Sequence, residues 1–442
     1  MSRSLRVYIG PQLVGELKEG DDIWGFNYSE EWRAAPDGFD LSPELTRDPH
    51  GHQDGGTMRP VQWYFDNLLP EELLRTTIAQ EAKLPSDDAF ALLEYLGAES
   101  AGSLTLVPDG GQPAEANELR PLERNELSKR IADLPRQSLT RQAPKRMSLA
   151  GAQNKLLVVL RNGKLFEPVG EAPSTHILKP EHPLTATYPA SVYNEYLTMK
   201  LAEFAGLDVP GVQMMFVPQP VYIIQRFDRT VSVPRGSPRG TEPTVRRLHI
   251  IDACQLLNKA RTFKHSGATL ESLSEVIERS TNKASTRLRL FRWLAFNTLV
   301  GNDDCHLKNL SFMVNADGVA LAPHYDLLST GAYHTRAFAD EHAKWPDMPM
   351  AIPLPGAKTF GEVTTEKLVK AAYQLGVPPS VAMRQLARIK AGVTTGLESL
   401  KSNHATLSEA TGDGLAATFA QNSRLLNVIE HITLPDMMKR LS

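Results

Sequence analysis

The chain has 442 residues, which is too long for one ordinary hydrophobic core and predicts two or three packed lobes. Its 41% hydrophobic and 22% charged composition is ordinary for a soluble protein, and a net charge of −3 excludes the broad basic field of a stand-alone nucleic-acid binder. The chain has only two cysteines, no stretch near the ~20 apolar residues of a membrane span and no signal-peptide core at its start, so we expect a cytoplasmic protein without membrane contact.

The N-terminal region mixes short strand-like runs, such as LRVYI and SLTLVP, with a helical run over residues 70–95. A stretch rich in Pro, Gly and polar residues, 108–117, then breaks the pattern. We therefore predict an α/β subdomain over residues 1–110 and a connecting segment over 111–145.

Residues 146–228 predict a small sheet with one helix. The loop SLAGAQNK leads into the apolar strand LLVVL, Asn162-Gly163 supplies a hairpin turn, and THILKP is a further strand. A helix with apolar residues at helical spacing follows and ends at Gly206, and VQMMFV and VYIIQRF are two more strands. Residues 229–243 are then predicted to form a polar, Pro/Gly-rich loop.

The rest of the chain, residues 229–442, is predicted to be largely helical. The segment STRLRLFRWLAFNTLV forms a long helix with Ser285 as its N-cap. One hairpin interrupts the helices where SFMV and VALAPHYD flank a turn, and it should hold Asn309 and Asp326 at the base of one ribbon. Mixed strands and helices in this order predict an α+β protein.

The segment GNDDCHLKN, residues 301–309, carries the strongest chemical signal. Phosphoryl transfer needs a carboxylate to accept the hydroxyl proton, ligands for Mg²⁺, a cation on the phosphates and a backbone cradle. Asp304 and Asn309 have the five-residue interval of the protein-kinase catalytic loop, and Asp326 follows as the metal-binding carboxylate would. The less favoured alternative is a polar loop that only caps the preceding helix.

Two upstream features supply the remaining parts. Lys179 on a strand and Glu195 on the next helix are placed to form the ion pair that orients a phosphate-binding lysine, although such a pair alone usually means two solvated side chains. The loop at residues 148–155 has one glycine and precedes a strand, which favours a kinase-type phosphate cover over a Walker A loop. On spacing alone, a plain hairpin entry is an equally good interpretation.

Three other residues of the catalytic loop have less specific roles. We favour an anchoring role for Lys308 and leave His306 open between a phosphate contact and anchoring. No second Cys/His cluster accompanies Cys305 and His306 at zinc spacing, so the sequence predicts no zinc site.

Taken together, these segments resemble the HipA-type toxin kinases of bacterial type II toxin-antitoxin modules. The resemblance is carried, in chain order, by WYFDNLLPE, LLEYLGAESAGSLTLVP, MSLAGAQNK, STHILKP, YNEY, QRFDR, GNDDCHLKN and APHYD. It implies a two-lobed protein-kinase-like fold with an extra N-terminal α/β subdomain and a mainly α-helical C-terminal lobe. It also implies ATP- and Mg²⁺-dependent phosphorylation of serine in a protein, namely an aminoacyl-tRNA synthetase such as glutamyl-tRNA synthetase, which halts translation and growth.

The resemblance also implies a role for individual residues. Asp304 matches the catalytic base, and Asn309 and Asp326 match the Mg²⁺ ligands. Ser148 matches an autophosphorylated serine, where a phosphate would add about −1.5 to −2 charge and repel ATP. The positions expected to bind ATP are the phosphate loop Ala150, Gly151, Ala152, Gln153, Asn154 and Lys155, the lysine Lys179, the hinge Gln225, Arg226 and Phe227, which meets adenine through its backbone, Asp228 near the ribose, and His306 and Tyr325.

Partners follow from the same resemblance. It implies a small HipB-like helix-turn-helix antitoxin and, through that antitoxin, operator DNA. The chain shows no convincing recognition helix of its own, so we expect no direct reading of bases by it. Two departures from the family pattern are Gln225, in place of a hinge glutamate, and the segment at residues 344–356, whose role the sequence leaves open.

Two other functions stay open at this point. Small-molecule kinases use a similar interval between the catalytic Asp and Asn on a related fold, so spacing alone does not separate them from protein kinases. A pseudokinase that acts only as a co-repressor is the second alternative. Loss of Asp304, Asn309 or Asp326 would have indicated it, and all three are present.

Overall fold

The structure is a computed structural model and describes residues 2–112, 117–232, 244–411 and 413–442. Within these residues, no helix is both long enough and apolar enough to cross a membrane.

The first part of the chain forms an antiparallel sheet covered by short helices. The strand order is β4-β3-β2-β1-β5. Phe26 and Phe65 are fully buried between the sheet and the helices, and the Trp24 and Phe90 rings meet edge to face at 5.2 Å. The elements are β1 Arg3–Ile9, β2 Gln12–Gly20, β3 Ile23–Tyr28, α1 Glu30–Ala34, β4 His52–Gln53, α2 Pro60–Asp66, α3 Glu72–Ala82, α4 Ala89–Leu96 and β5 Leu104–Pro108.

The predicted helical run over residues 70–95 is wrong in one respect, since it is two helices. Lys83 ends α3 in the left-handed conformation at φ 58°, and the side chain of Asp88 caps α4 by accepting a hydrogen bond from the amide of Ala91. The apolar spacing continues through the break, which is why the sequence pattern did not reveal it.

A second, six-stranded sheet has the order β10-β11-β9-β7-β8-β6, with one helix packed on β10 and β11. Its predicted hairpin turn is confirmed: Asn162 and Gly163 have φ of 50° and 73° between β7 and β8. The elements are β6 Asn117–Pro121, α5 Arg124–Ala132, β7 Leu156–Arg161, β8 Lys164–Gly170, β9 His176–Pro180, α6 Ser191–Phe204, β10 Val212–Phe216 and β11 Pro220–Gln225.

The predicted connecting segment over residues 111–145 contributes to this sheet. Its strand β6 pairs with β8, and α5 follows directly. Residues 113–116 of that segment, and residues 233–243 of the predicted polar loop, lie outside the described residues. The first four residues of that loop, Arg229–Ser232, form strand β12 rather than a loop and pair with β13.

The C-terminal part is mainly helical around the long, buried helix α9. Phe291, Trp293 and Phe296 of this helix are fully buried. The elements are β12 Arg229–Ser232, β13 Thr244–Arg247, β14 Ile250–Asp252, α7 Ala253–Leu256, α8 Leu270–Arg279, α9 Lys283–Val300, β15 Ser311–Asn315, β16 Gly318–Leu321, α10 Arg336–Ala339, β17 Pro349–Leu354, β18 Ala357–Thr359, α11 Thr365–Gln374, α12 Pro379–Thr411, α13 Ala416–Val428 and α14 Leu434–Arg440.

Two details of this part differ from the sequence prediction. The N-cap of α9 is Asn282, whose side chain accepts a hydrogen bond from the amide of Ser285 at 3.0 Å, so Ser285 lies in the first turn. A second hairpin interrupts the helices, with β17 inside the segment at residues 344–356 and β18 directly after it. Its alternating burial was hidden by two prolines, which strands tolerate at edges.

Candidate active site

A cleft of about 620 Å³ lies where the six-stranded sheet, the helical part and the N-terminal part meet. Its walls include residues from all three parts, among them Leu68, Glu71, Gly151, Lys179, Phe227, Asp304, Asn309 and Asp326. Residues that are far apart in sequence therefore face one volume, large enough for a nucleotide-sized ligand.

One end of the cleft holds a buried lysine between two carboxylates. Strand β9 carries Lys179, whose Nζ lies 2.7 Å from Glu195 Oε1 of α6 and 2.7 Å from Asp326 Oδ1. Burial alone would lower the pKa of Lys179, but the two carboxylates outweigh it and raise that pKa. The ion pair expected from the sequence is thus present, and Lys179 stays charged where phosphates could bind.

The two carboxylates on Lys179 differ in their protonation. Burial would raise the pKa of Asp326, but Lys179 and Lys155 outweigh it and lower that pKa to about 2. Burial raises the pKa of Glu195 to about 7 against the attraction of Lys179. Asp326 also has a positive φ of 58°, a strained conformation for a residue other than glycine that is typical of functional sites. Asp326 is therefore a fixed anion facing the cleft.

The catalytic-loop segment is held by its own polar groups. Helix α9 ends at Gly301 with φ 68°, and the Asn302 side chain then accepts a hydrogen bond from the Asp304 amide at 3.0 Å. The Asn309 side chain donates to the Asp304 carbonyl at 2.8 Å. Asn302 also donates to Asn297 at 2.8 Å, so part of the loop does brace the helix end, as the alternative interpretation expected. The hydrogen bonds of the Asn302 side-chain oxygen and the Asn309 side chain instead hold the backbone of Asp304.

The carboxylate of Asp304 is exposed to the cleft and has an unusual acidity. Removal of water within the cleft, together with the negative charges of Asp326 and Asp303, raises the pKa of Asp304 to about 7. A carboxylate with a pKa near the operating pH is suited to accepting a proton in catalysis. Burial status, charge and position distinguish it clearly from Asp326.

Lys308 anchors the catalytic loop, as the sequence interpretation favoured. Its Nζ donates to the Asn67 carbonyl at 2.9 Å, to Asn67 Oδ1 at 2.8 Å and to Asp252 Oδ2 at 2.7 Å. Asn67 belongs to the N-terminal part of the chain. Sequence reasoning missed this contact because no spacing rule connects residues 241 positions apart, although Asn67 lies within the motif WYFDNLLPE.

The phosphate loop is held against the N-terminal part of the chain. Gly151 has φ 106° and its carbonyl accepts a hydrogen bond from the Glu71 amide at 3.2 Å. Lys155 donates to the Ala150 carbonyl at 2.7 Å, and burial together with Lys179 lowers its pKa to about 8. Of the predicted loop residues, Ala150, Gly151, Ala152, Gln153 and Lys155 line the cleft, whereas Asn154 is not among the lining residues.

Ser148 does not face the cleft. It is 1% exposed, its hydroxyl donates to the Leu68 carbonyl at 2.5 Å, and its amide donates to the Glu99 carbonyl at 2.7 Å. In this conformation the serine is a buried contact between the phosphate loop and the N-terminal part.

The predicted hinge combines an aromatic wall with a charged anchor. Phe227 and Tyr325 face each other at 5.5 Å, and the Tyr325 hydroxyl lies 2.7 Å from the Ser311 hydroxyl. The amides of Gln225 and Arg226 donate to the Gly211 and Thr175 carbonyls at 2.9 Å each. Any adenine contact by the hinge backbone therefore uses its carbonyls or the Phe227 amide, and that contact stays a prediction.

Asp228 lies at the cleft wall, yet its carboxylate is fully engaged by protein groups. Arg226 donates to it at 2.9 and 2.6 Å, Arg229 at 2.9 Å and the Gly102 amide at 2.8 Å. Burial would raise the pKa of Asp228, but Arg226 and Arg229 outweigh it and lower that pKa to about 2. A ribose contact would have to compete with these bonds.

The free side-chain oxygens that face the cleft are suitable ligands for a hard divalent cation. Asp326 uses Oδ1 for Lys179, which leaves Oδ2, and Asn309 uses its amide nitrogen for Asp304, which leaves its side-chain oxygen. Mg²⁺ prefers such oxygen ligands, taking one or two from protein together with substrate phosphates. The residues present therefore fit the metal that the sequence predicts.

The similarity to known proteins covers most of the chain. Residues 5–107 match the family described as HipA N-terminal domain, and residues 147–396 match the HipA-like C-terminal domain. The chain is 36% identical over 344 residues to Y4mE of Sinorhizobium fredii, covering 75% of this chain and 78% of that protein. It is 31% identical over 349 residues to the serine/threonine-protein kinase toxin HipA of Shewanella oneidensis, covering 75% and 76%.

A solved structure is also similar. A chain of the complex of Shewanella oneidensis MR-1 HipA, HipB and operator DNA superimposes with a TM-score of 0.76 and 25% sequence identity, covering 96% of both chains.

Proposed function

Because this chain belongs to the HipA family of toxin kinases, we propose that it transfers the γ-phosphate of ATP to serine or threonine of a protein target. The family resemblance and the α+β, protein-kinase-like fold expected from the sequence are both confirmed. The observation that carries the proposal is the meeting of Lys179, Asp326, Asp304 and Asn309 in one cleft. These are the cation, metal ligands and proton acceptor that phosphoryl transfer needs.

Each residue has a role that its surroundings support. Lys179, kept charged by Glu195 and Asp326, binds ATP phosphates. Asp304, with a pKa of about 7, accepts the proton of the target hydroxyl. Asn309 and Asp326 hold Mg²⁺, which when bound neutralises charge on the phosphates. Phe227 and Tyr325 supply apolar surface for adenine.

The family match supports a proposal on the biological role. We propose a cytoplasmic toxin whose target is an aminoacyl-tRNA synthetase, such as glutamyl-tRNA synthetase, so that phosphorylation stops translation and growth. The name of the Shewanella oneidensis relative, a serine/threonine-protein kinase toxin, supports the toxin and kinase parts of this proposal.

The partners follow in the same way. We propose a HipB-like helix-turn-helix antitoxin, and operator DNA bound through that antitoxin. The relative of known structure was solved with HipB and its operator DNA, and it covers 96% of this chain. A net charge of −3 is consistent with DNA contact made through a partner.

A labelled-phosphate experiment tests the proposed activity. Purified protein, Mg²⁺ and radiolabelled ATP are incubated with a cell lysate, and labelled proteins are identified by mass spectrometry. We expect one dominant labelled protein, absent with an Asp304→Asn variant. Label only in small molecules would replace the proposal with a small-molecule kinase. Absence of all transfer, together with intact antitoxin binding, would indicate a co-repressor.

We further propose that phosphorylation of Ser148 silences the kinase. Ser148 is fully enclosed by Leu68 and Glu99, so a phosphate does not fit at this position. A phosphorylated Ser148 would leave the pocket and carry the phosphate loop with it, away from ATP.

Intact-mass analysis after incubation with ATP and Mg²⁺ tests this regulation. We expect one added phosphate on the peptide that contains Ser148, with a parallel loss of activity. The Ser148→Ala variant should stay unmodified there and stay active for longer. An unmodified wild-type peptide in protein that loses activity would contradict the proposal.

A further inference from the structure

Three side chains that bind metals elsewhere in proteins meet beside the catalytic loop. His265, Asp304 and His306 each present one ligand atom, and these atoms all lie within 4.8 Å of one another. His265 follows the short 3-10 helix Arg261–Phe263, and its ring packs edge to face on His306 at 4.7 Å. The sequence predicted no zinc site because no second Cys/His cluster lies at zinc spacing, whereas the fold brings the single residue His265 beside His306.

A second, independent observation concerns His306. This residue is 8% exposed, and among the described residues its Nδ1 is buried without a hydrogen-bond partner. Most buried polar atoms have a hydrogen-bond partner, so an unpaired one needs an explanation, and a bound ion is one such explanation. The unpaired nitrogen belongs to the same imidazole that contacts His265.

The chemistry of the three ligands favours Zn²⁺ over Mg²⁺. Two imidazoles and one carboxylate, with a further position open, are a common ligand set for zinc, whereas Mg²⁺ prefers oxygen ligands in octahedral geometry. Burial and Lys264 lower the pKa of both His265 and His306. Lys264 itself is paired with Glu71 at 2.7 Å and Glu72 at 2.8 Å.

The geometry requires only side-chain movement. Zinc bonds of ~2.0–2.1 Å place tetrahedral ligand atoms about 3.3 Å apart, somewhat closer than the present upper limit. His265 and Asp304 are both exposed, and both can therefore rotate toward the buried His306.

We propose that His265, Asp304 and His306 form a Zn²⁺ site that inhibits the kinase. The bound ion holds the Asp304 carboxylate as a ligand and so removes the proton acceptor from the reaction. Binding of the ion is independent of any activity, whereas the inhibition rests on the proposed kinase function.

Direct binding is measured first, on the full chain after removal of metals. Titration with Co²⁺, whose visible absorption reports coordination by nitrogen and oxygen ligands, is followed by displacement with Zn²⁺. His265→Ala should weaken both metals by at least about 10- to 100-fold, the loss that follows removal of an outer-shell partner alone. The matched control is His334→Ala, which removes another cleft histidine, 3.8 Å from Asp303. Equal affinity in wild type and His265→Ala, or no Co²⁺ spectrum in wild type, would overturn the site.

Inhibition is measured next, at buffered free Zn²⁺ with Mg²⁺ and ATP in excess. Wild type and His334→Ala should lose phosphoryl transfer as Zn²⁺ rises, whereas His265→Ala should keep its Zn²⁺-free rate. Equal inhibition of all three proteins would overturn the inhibitory role. If wild type shows no transfer even with chelator, the proposed function fails, and the Co²⁺ titration still decides whether the metal site exists.

Discussion

The charged groups at the two ends of the cleft are arranged differently. At the hinge end, the buried carboxylate of Glu99 is surrounded by Lys145 at 3.0 Å, Arg226 at 3.1 Å and Arg229 at 2.9 Å, and its pKa lies well below the usual range despite burial. At the phosphate end, acidic groups crowd around fewer cations, and the pKa of Asp304 rises to about 7.

This difference separates structural charge from functional charge. The network around Glu99, in which one buried carboxylate is paired with three cations, holds the hinge to the N-terminal part. Around Asp304 there are too few cations to pair with every carboxylate. Its own carboxylate is therefore exposed, and its charge depends on what binds beside it. Substitutions at the two ends should therefore affect different quantities.

The largest expected effect follows removal of the proposed proton acceptor. Asp304→Asn should lower kcat for phosphoryl transfer by about 10²–10⁴-fold, the usual contribution of a general base. Since Asp304 is exposed, the melting temperature should change little. Both are measured on the same preparation, by labelled-phosphate transfer and by thermal unfolding. Unchanged activity in this variant would mean that Asp304 is not the proton acceptor.

Breaking the hinge network should instead reduce stability. Glu99→Gln leaves the buried Lys145 without its anion and leaves Arg226 and Arg229 paired with Asp228 alone, which should lower the free energy of unfolding by about 3–5 kcal/mol. Denaturant unfolding measures this loss. The control Glu398→Gln alters an exposed glutamate on α12 and should change little. Equal midpoints for the two variants would mean that the network is not stabilising.

A smaller effect on kcat/KM for ATP is expected when the ion pair between Lys179 and Glu195 is weakened. Glu195→Gln weakens a charge-assisted hydrogen bond worth about 1.5–3 kcal/mol, which corresponds to about 10- to 150-fold in kcat/KM for ATP. Steady-state kinetics with varied ATP measures it. Glu203→Gln, at the more exposed end of the same helix, is the matched control. If both variants behave alike, the Lys179 to Glu195 ion pair has no part in ATP use.

The smallest effect is a shift in pH dependence. Asp304 must be deprotonated to accept a proton, so kcat/KM should rise about tenfold per pH unit below a pKa of about 7 and level off above it. Asp303→Asn removes a neighbouring negative charge that contributes to the raised pKa, so the profile should move to lower pH. A profile that stays in place or moves to higher pH would contradict the electrostatic origin of the shift.

Local features were the most predictable from the sequence. The Asn162-Gly163 turn, the strand that carries Lys179 and the helix that carries Glu195 each depend on residues within one short segment. The helix break at Lys83, the N-cap at Asn282 and the hairpin of β17 and β18 were missed, since the apolar pattern continued through them or prolines hid it.

Long-range contacts were beyond prediction for a different reason. The burial of Ser148 under Leu68, the bond from Lys308 to Asn67 and the approach of His265 to His306 each join segments that no spacing rule connects. Only packing of the N-terminal part onto the two kinase-like lobes brings these groups together.

The sequence by itself determined the chemical groups available for phosphoryl transfer and their order along the chain, because motifs such as GNDDCHLKN are local. Only the tertiary structure decided the charge state of those groups. Asp304 and Asp326 are the same residue type, yet one pKa is raised to about 7 and the other lowered to about 2. Burial raises both pKa values, but Lys179 and Lys155 outweigh it at Asp326, whereas the negative charges of Asp326 and Asp303 add to it at Asp304. Lys179, Lys155 and Asp326 come together only when distant segments pack.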